Sequence, residues 1–206
     1  MITNDTIVVL TTAALHLPTN LLPAPGAAHL AGVSLLIARS EADGWRFDLA
    51  VKAASAGDGE EPLLAWMLNE LPPGGQVVGW RLSNDVIPAL LGAADDAEAE
   101  LSQAFLQRLY ALFTTPSDDL SLDHGGAAAP PLGAHLIATG LMSHSLAADA
   151  IWQAWTNARA APVVAQLKAE AVALLHLWVM RSPDRAGLRV AFGRWLAEQR
   201  AAGVLT

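Results

Sequence analysis

Histidine and aspartate residues in one irregular stretch are the side chains whose types could bind a metal ion. Asp123 and His124 are followed by His135 and His144. Imidazole and carboxylate groups are common zinc ligands, but none of the six histidines shows HExxH or another tight ligand spacing. The sequence therefore favours histidines on loops or helix surfaces over a metal site.

The sequence lacks the usual motifs of nucleophilic catalysis and of phosphate binding. The chain contains no cysteine, which excludes disulfides, thiol catalysis and cysteine-ligated zinc. Serine, histidine and acidic residues are present, but no Gly-x-Ser-x-Gly turn positions a serine nucleophile. The two glycine pairs, Gly74-Gly75 and Gly125-Gly126, fit turns better than a phosphate loop.

Tryptophan and arginine side chains are the candidates for contacting nucleic acid. Tryptophan can stack on bases, but most of the seven tryptophans lie on apolar stripes, which indicates core packing. Trp80 is the exception, because it lies near the end of the predicted strand over residues 76–82. Arg181, Arg185 and Arg189 recur at intervals of four residues, which fits either a phosphate-contacting patch or a face paired with acidic groups of the same chain. The sequence favours the second interpretation.

Composition and charge narrow the class of protein. The 206 residues are 53% hydrophobic, which excludes a disordered chain, and the formal net charge of −8 argues against a protein that coats nucleic acid or anionic membrane with its whole surface. Residues 1–150 carry five basic and seventeen acidic side chains, whereas residues 151–206 carry seven basic and three acidic ones.

The sequence shows no signal for a membrane or for secretion. No apolar run reaches the roughly 18 residues of a membrane span, and no basic residue precedes the first apolar run, so we expect a cytoplasmic protein.

The hydrophobic pattern predicts strands in the first half of the chain and helices in the second. Residues 45–52 alternate apolar and polar side chains, and Ala42-Asp43-Gly44 before them predicts a hairpin turn. A proline-rich loop with Pro18, Pro23 and Pro25 follows the first strand. The predicted strands are residues 6–10, 31–38, 45–51, 76–82 and 119–122. The predicted helices are residues 60–71, a helix starting near 86, and residues 94–113, 132–139, 145–158, 162–180 and 183–202.

This order of elements defines the expected fold. Three meandering strands, a crossover helix, a strand, a second crossover and a last strand give β-β-β-α-β-α-β. We expect an α/β protein with a mixed five-stranded sheet flanked by helices, which is the element order of a ribonuclease H-like domain. Residues 1–206 would form one such domain, with the additional helices of about 145–203 packing on the sheet.

Three segments resemble motifs of the predicted 3′-5′ exonucleases related to the exonuclease domain of bacterial family B DNA polymerases. Residues 77–90 resemble the second exonuclease motif, in which a strand ends in an aromatic-Asn pair and leads on to a proline and a leucine. Residues 121–152 are similar to the segment between the second and third motifs. Residues 170–181 resemble the third motif and its helix. The resemblance spans most of the chain and is strongest from Glu61 to Arg181.

The resemblance implies a chemistry that needs four carboxylates, which hold two divalent metal ions for phosphodiester hydrolysis. The first motif's Asp-x-Glu falls on Thr11-Thr12-Ala13, and the second motif's asparagine on Arg81. The aspartates of the second and third motifs fall on Val86 and Ala171, and the third motif's tyrosine falls on Leu167. None of the four positions carries a carboxylate. The resemblance therefore implies the fold and argues against the family's activity.

Two acidic residues lie next to these degenerate positions. Asp85 precedes Val86, and Glu170 precedes Ala171. Adjacent residues on a helix point about 100° apart, so neither is an obvious replacement for the missing ligand. A shifted site would use Asp85 and Glu170, with Asp5 or Asp119 as a further ligand.

Three functions remain open from the sequence. The leading hypothesis is a degenerate exonuclease-like domain without catalytic residues, metal or cofactor, which binds single-stranded nucleic acid or a protein partner. Trp80, Arg81, Arg185 and Arg189 would then be the nucleic-acid-binding residues. The second is an active 3′-5′ exonuclease that uses magnesium or manganese at the shifted acids. The third is a homodimer or larger oligomer that associates through its apolar last helix and has no nucleic-acid role.

Overall fold

The computed structural model describes residues 5–16 and 28–205 of the chain. The proline-rich loop expected around Pro18, Pro23 and Pro25 lies outside these ranges. The described strands are β1 (Thr6–His16), β2 (Ala28–Glu41), β3 (Gly44–Ala53), β4 (Gln76–Gly79) and β5 (Ser117–Asp119). The described α-helices are α1 (Glu61–Glu70), α2 (Ile87–Asp95), α3 (Ala99–Phe113), α4 (Leu132–Ala138), α5 (Ala148–Thr156), α6 (Ala160–Met180) and α7 (Ala186–Ala201).

The five strands form one mixed sheet in the order β3-β2-β1-β4-β5. β2 runs antiparallel to both β1 and β3, whereas β4 is parallel to β1 and β5 is parallel to β4. The hairpin between β2 and β3 pairs Glu41 with Gly44 across the two residues Ala42 and Asp43, as the turn signal predicts. The expected α/β fold, a ribonuclease H-like mixed sheet flanked by helices, is confirmed.

Helices cover both faces of the sheet, because its central strand is apolar on both sides. Val8 and Leu10 of β1 pack with α1, α2 and α3, and the largest buried side chain there is Phe105. Ile7 and Val9 of β1 face the other way. They pack in a second cluster with residues of α6 and α7, which also contains Phe47, Trp178 and Phe192.

Several element boundaries differ from the sequence prediction. β1 continues past Leu10 to His16, because the longer β2 pairs with it over its whole length. The expected strand at 119–122 is wrong: β5 ends at Asp119, whose side chain accepts a hydrogen bond from Ser121 N (3.0 Å) and caps a 3₁₀ turn over Leu120–His124. The helix expected over 145–158 begins only at Ala148.

Two helix predictions also change. The segment expected as one helix over 94–113 is divided between the end of α2 at Asp95 and α3, which begins at Ala99. Ser182 caps the last helical segment as expected, since its hydroxyl accepts a hydrogen bond from Asp184 N (3.3 Å). The first turn after it is a 3₁₀ turn, and α7 begins at Ala186.

Helix α6 is the longest helix of the described residues. By length and composition it would be able to cross a membrane, but half of its most apolar stretch is buried inside the protein. It contacts the strands β1, β2, β3 and β4 of the sheet and the helices α4, α5 and α7. This helix and the central strand together position the site described next.

Candidate functional site

A cleft of about 650 Å³ opens at the carboxyl end of β1. Its walls are the end of β1, the turn before α2, the start of α4, the segment leading into α5, and the face of α6 that carries Gln166 and Glu170. In open α/β sheets, ligands bind at the carboxyl ends of the strands where the strand order reverses. Here β1 is that point, since β2 lies on one side of it and β4 on the other.

The β1 wall carries the residues that fall on the first exonuclease motif. Thr11 is buried, and its hydroxyl is hydrogen-bonded to the hydroxyl of Ser34 on β2 (2.6 Å). Ala13 is also buried and packs with Val163 and Leu167 of α6. The β1–β2 register shifts immediately after Ala13, a bulge of the kind that often borders functional sites. This wall is therefore neutral, and its one buried hydroxyl is satisfied within the sheet.

The second wall begins at a strained residue after β4. Arg81 has a φ of 52°, a conformation that is uncommon outside glycine, and its backbone N–H donates to Asp119 Oδ1 (2.9 Å). Its Nη2 lies 3.2 Å from Asp85 Oδ1, and its buried Nε has no hydrogen-bond partner among the described residues. A π-helical turn over Leu82–Val86 follows and brings Asp85 and Val86 to the cleft. Asp85 is half exposed, whereas Val86 is buried.

The α6 wall carries Gln166 and Glu170. Gln166 Nε2 donates a hydrogen bond to Glu170 Oε1 (2.8 Å), as the spacing of four residues on a helix allows. Glu170 is 6% exposed, and burial raises the pKa of its carboxyl to about 7, although the hydrogen bond from Gln166 opposes this shift. Both residues lie one position before Leu167 and Ala171, where the resemblance puts the tyrosine and the aspartate. Leu167 and Ala171 are fully buried and do not line the cleft.

The remaining wall packs closely against Glu170. Gln166 Oε1 accepts a hydrogen bond from Leu146 N, which ties the segment before α5 to α6. Gly133 at the start of α4 faces Ser145 so closely that a Cβ there would overlap the serine hydroxyl, and the same Cβ would lie 3.5 Å from Glu170 Oε1. Sequence reasoning missed Gln166, Gly133 and Ser145. Of these three, Gln166 could have been predicted, because it lies four residues before Glu170 on the same expected helix.

Trp80 lines the inner end of the cleft but is only 4% exposed. Its indole N–H donates to Pro130 O (2.9 Å), and its ring lies 4.5 Å from that of His135 and 5.3 Å from that of His124. The two imidazole centroids are 4.3 Å apart. Burial, with a smaller contribution from His124, lowers the pKa of His135. The fold thus brings together two of the candidate histidines, while His144 is exposed and contacts Ser143 (3.1 Å).

The other acids that the sequence offers as shifted ligands do not line this cleft. Asp5 precedes β1 and borders a second, shallower pocket with Thr6 and Gln76, at the other end of the strand. Asp119 accepts hydrogen bonds from Arg81 N and from both the backbone and the hydroxyl of Ser121. Only Asp85 and Glu170, of the four acids considered, face the cleft.

The arginines of the last helical segments differ in their surroundings. Arg185 Nη1 donates to Trp178 O (2.6 Å), its guanidinium lies 3.6 Å from the Trp178 ring centroid, and its Nη2 is 3.6 Å from Asp118 Oδ2. Arg181 pairs with Asp123 (2.5 Å). Arg189 is exposed, and its Nη1 contacts Met180 Sδ at 3.9 Å. Arg181 and Arg185 therefore contact acids of the first 150 residues.

These residues do not fit a pair of divalent metal ions. Two such ions need several carboxylate oxygens around them. Within residues 5–16 and 28–205, no three His, Asp or Glu side chains are grouped closely enough to hold even one metal ion. The described residues that line the cleft instead present two carboxyl groups, one paired with Arg81 and the other with Gln166.

Comparison with known proteins gives a match among solved structures. No family model matches the chain, and no curated protein matches it. Among solved structures, it is similar to the family B DNA polymerase from the hyperthermophilic archaeon Pyrobaculum calidifontis, with a TM-score of 0.53 and 13% identity over 84% of this chain. The chain spans 24% of the polymerase chain. At this identity the likeness shows the fold, which agrees with the exonuclease-like fold that the resemblance implies.

Proposed function

We propose that this chain is an exonuclease-like domain that has lost the two-metal site and acts as a non-catalytic binding module. The observation that carries the proposal is the composition of the cleft. Thr11, Ala13 and Val86 carry no carboxylate there, and Asp85 and Glu170 belong to no group of three His, Asp or Glu side chains among the described residues that could hold a metal ion. The likeness to a DNA polymerase supports the exonuclease descent.

The chemistry of the cleft favours a protein as the partner over nucleic acid. A surface that binds a phosphodiester chain needs basic side chains to replace its counterions. No lysine or arginine is among the described residues that line the cleft, and its exposed lining is mostly apolar. Three of the nucleic-acid candidates, Trp80, Arg81 and Arg185, are buried or paired within the chain, which leaves Arg189 exposed.

A metal-dependent nuclease assay tests the loss of catalysis. The wild-type chain is incubated with a 5′-labelled single-stranded oligonucleotide in magnesium or manganese, beside Asp85→Ala and Glu170→Gln. We expect no shortening of the strand at high protein concentration and no difference between the three proteins. Metal-dependent shortening that either substitution abolishes would overturn the proposal.

One observation favours a second candidate, an active exonuclease with shifted ligands. Asp85 and Glu170 both line the cleft, and Glu170 has Gln166 four residues before it, the spacing at which the resemblance expects a tyrosine and an aspartate. Two carboxylates fall short of the four that the resembled chemistry uses. The same assay decides between the candidates, because only the active enzyme would shorten the strand.

A further inference from the structure

Glu170 is a buried carboxyl that faces a cleft and has no cationic partner within residues 5–16 and 28–205. It is 6% exposed, and Gln166 donates to its Oε1. None of the ion pairs in the described part of the chain includes it. Burying a carboxyl without a cation is costly, and a neutral side chain of similar size would avoid that cost. Because burial raises the pKa of this carboxyl to about 7, it is mostly ionised only above pH 7, and there a ligand that brings a positive charge to Glu170 would compensate for the cost.

The rest of the cleft suits the stem of a long basic side chain. Leu10, Ala89 and Ile151 are among the apolar residues of its walls, and the cleft's volume of about 650 Å³ lies in the range of ordinary ligand sites. Lysine and arginine place their aliphatic stems along apolar surfaces while the charged end stays with a polar partner. Asp85 adds a second carboxylate at the half-exposed rim, where Arg81 Nη2 at 3.2 Å offsets its charge. The charge that complements a basic side chain is therefore that of Glu170, and the apolar walls complement the stem.

The partial positive charges at the starts of α4 and α5 oppose this complementarity but are not full charges. Leu132 and Gly133 of α4 and Ala147 and Ala148 at the start of α5 line the cleft, and a helix N-terminus carries about half an elementary charge at most. Asp149 lies in the same first turn, and its carboxylate accepts a hydrogen bond from Ala150 N (2.9 Å). Among the described residues, the full charges that line the cleft are thus carboxyl groups only, and Arg81, which pairs with Asp85, lies outside this lining.

We propose that the cleft binds a lysine or arginine side chain of a protein partner, with its charged end at Glu170 and its stem along the apolar wall. This inference rests on the proposed function, since it names the chemistry of the partner that the binding module would take. It predicts that recognition depends on one cationic side chain inserted into the cleft.

A pair of matched peptides tests this inference by NMR on the full chain. The probes are acetyl-Ala-Lys-Ala-amide and the same peptide with norleucine in place of lysine, which keeps the stem and removes the ammonium group. The readout is the side-chain amide signal of Gln166 at pH 8, where the Glu170 carboxyl is mostly ionised. We expect the lysine peptide to shift this signal saturably, with a dissociation constant about tenfold or more below that of the norleucine peptide. Equal affinity for the two peptides, or no binding of the lysine peptide, would overturn the inference.

Two substitutions locate the charge that is recognised. Glu170→Gln should reduce the affinity for the lysine peptide to that for the norleucine peptide. Asp149→Asn, which removes an exposed carboxylate outside the cleft lining, should leave the preference for lysine intact. If Glu170→Gln does not fold, Asp85→Asn should weaken the lysine peptide alone, by a few-fold. An unchanged preference in Glu170→Gln, or in its substitute, would show that the cleft carboxyls are not the recognition site.

A manganese titration separates a basic side chain from a divalent cation as the ligand. Manganese bound at Glu170 would broaden the Gln166 amide signal at low metal concentration, and Glu170→Gln would relieve the broadening. That result would overturn the inference in favour of a metal site. The nuclease assay is independent of these titrations. If the lysine peptide fails to bind, the proposal of a non-catalytic domain still stands. If the oligonucleotide is shortened, the proposal of a non-catalytic domain is wrong.

Discussion

Glu170 lines the cleft, whereas Ala171, the next residue of α6, is fully buried in the apolar cluster between that helix and the sheet. The helix thus turns one residue's side chain toward the site and its neighbour's into the core. The resemblance puts the third motif's aspartate on Ala171, which has no access to the cleft. An acid at Ala171 would be buried among Val9, Leu36 and Val78.

The burial of Glu170 predicts a pH dependence of stability. Its pKa of about 7 lies above the ordinary value of 4.5, so the folded chain keeps a proton that the unfolded chain loses between these two pH values. Its contribution to the free energy of unfolding is therefore fully present below about pH 4.5 and falls as the pH rises to 7, by about 3 kcal/mol. Glu170→Gln should remove this dependence, so that the variant is the more stable protein at pH 8. Urea unfolding at a series of pH values measures it.

The comparison with the variant is needed because other groups titrate in the same range. Burial also raises the pKa of Glu60, which adds a slope of the same sign, whereas the lowered pKa of His135 removes stability as the pH falls below about 6.5. Subtracting the variant's curve from that of the wild type isolates Glu170. A control substitution at the exposed Glu198 should leave the curve unchanged. A constant difference between wild type and Glu170→Gln from pH 4 to 8 would contradict the prediction.

Periodicity predicted the strands because each strand's pattern of apolar residues reflects locally whether one or both of its faces are covered. Residues 45–51 of β3 alternate with period two, and Phe47 is indeed buried while Arg46 is exposed. The expected strand at 119–122 failed for a physical reason: Asp119 caps the following turn with its own side chain, and this competes with an extended backbone.

The cleft was harder to predict because distant segments form it. The π-helical turn that carries Asp85 depends on the left-handed conformation of Arg81, which no pattern in the sequence marks. Ser145 reaches the cleft because Gly133, twelve residues earlier, leaves room for it. Neither contact follows from spacing along the chain, whereas the pairing of Gln166 with Glu170 does.

Trp80 is expected to contribute to stability and not to base stacking. Trp80→Phe removes the donor to Pro130 O and leaves that carbonyl unpaired, so we expect a loss of about 1–2 kcal/mol in the free energy of unfolding. Because the ring is 4% exposed, the affinity for a single-stranded oligonucleotide should not change. Trp195→Phe is the control, since that half-buried ring packs on Phe47 and Phe192 without a comparable hydrogen bond. A loss of oligonucleotide affinity in Trp80→Phe alone would instead support stacking.

Arg185 and Arg189 should differ in their effects on stability, although they are one helical turn apart. Arg185→Ala removes a hydrogen bond to Trp178 O, a cation–π contact with the same residue and a pairing with Asp118, so we expect a loss of about 1–3 kcal/mol. Arg189→Ala should change stability by less than about 0.5 kcal/mol. Thermal and urea unfolding of the two variants measure this difference. If both variants keep full stability and both weaken salt-dependent oligonucleotide binding, the phosphate-patch interpretation is the correct one.

Gly133 should be essential for the shape of the cleft. A Cβ at this position would overlap the Ser145 hydroxyl and lie 2.7 Å from its Cβ, so Gly133→Ala must displace the segment before α5. We expect a loss of about 1–3 kcal/mol in the free energy of unfolding, typical of an overpacked site. Ser145→Gly in the same chain removes the overlapping atoms and should restore most of this loss, so that the double-mutant cycle yields a coupling free energy of at least about 1 kcal/mol. Gly187→Ala is the control, because a Cβ there meets nothing within 4 Å. Additive effects of the two cleft substitutions would show that Gly133 and Ser145 do not pack as described.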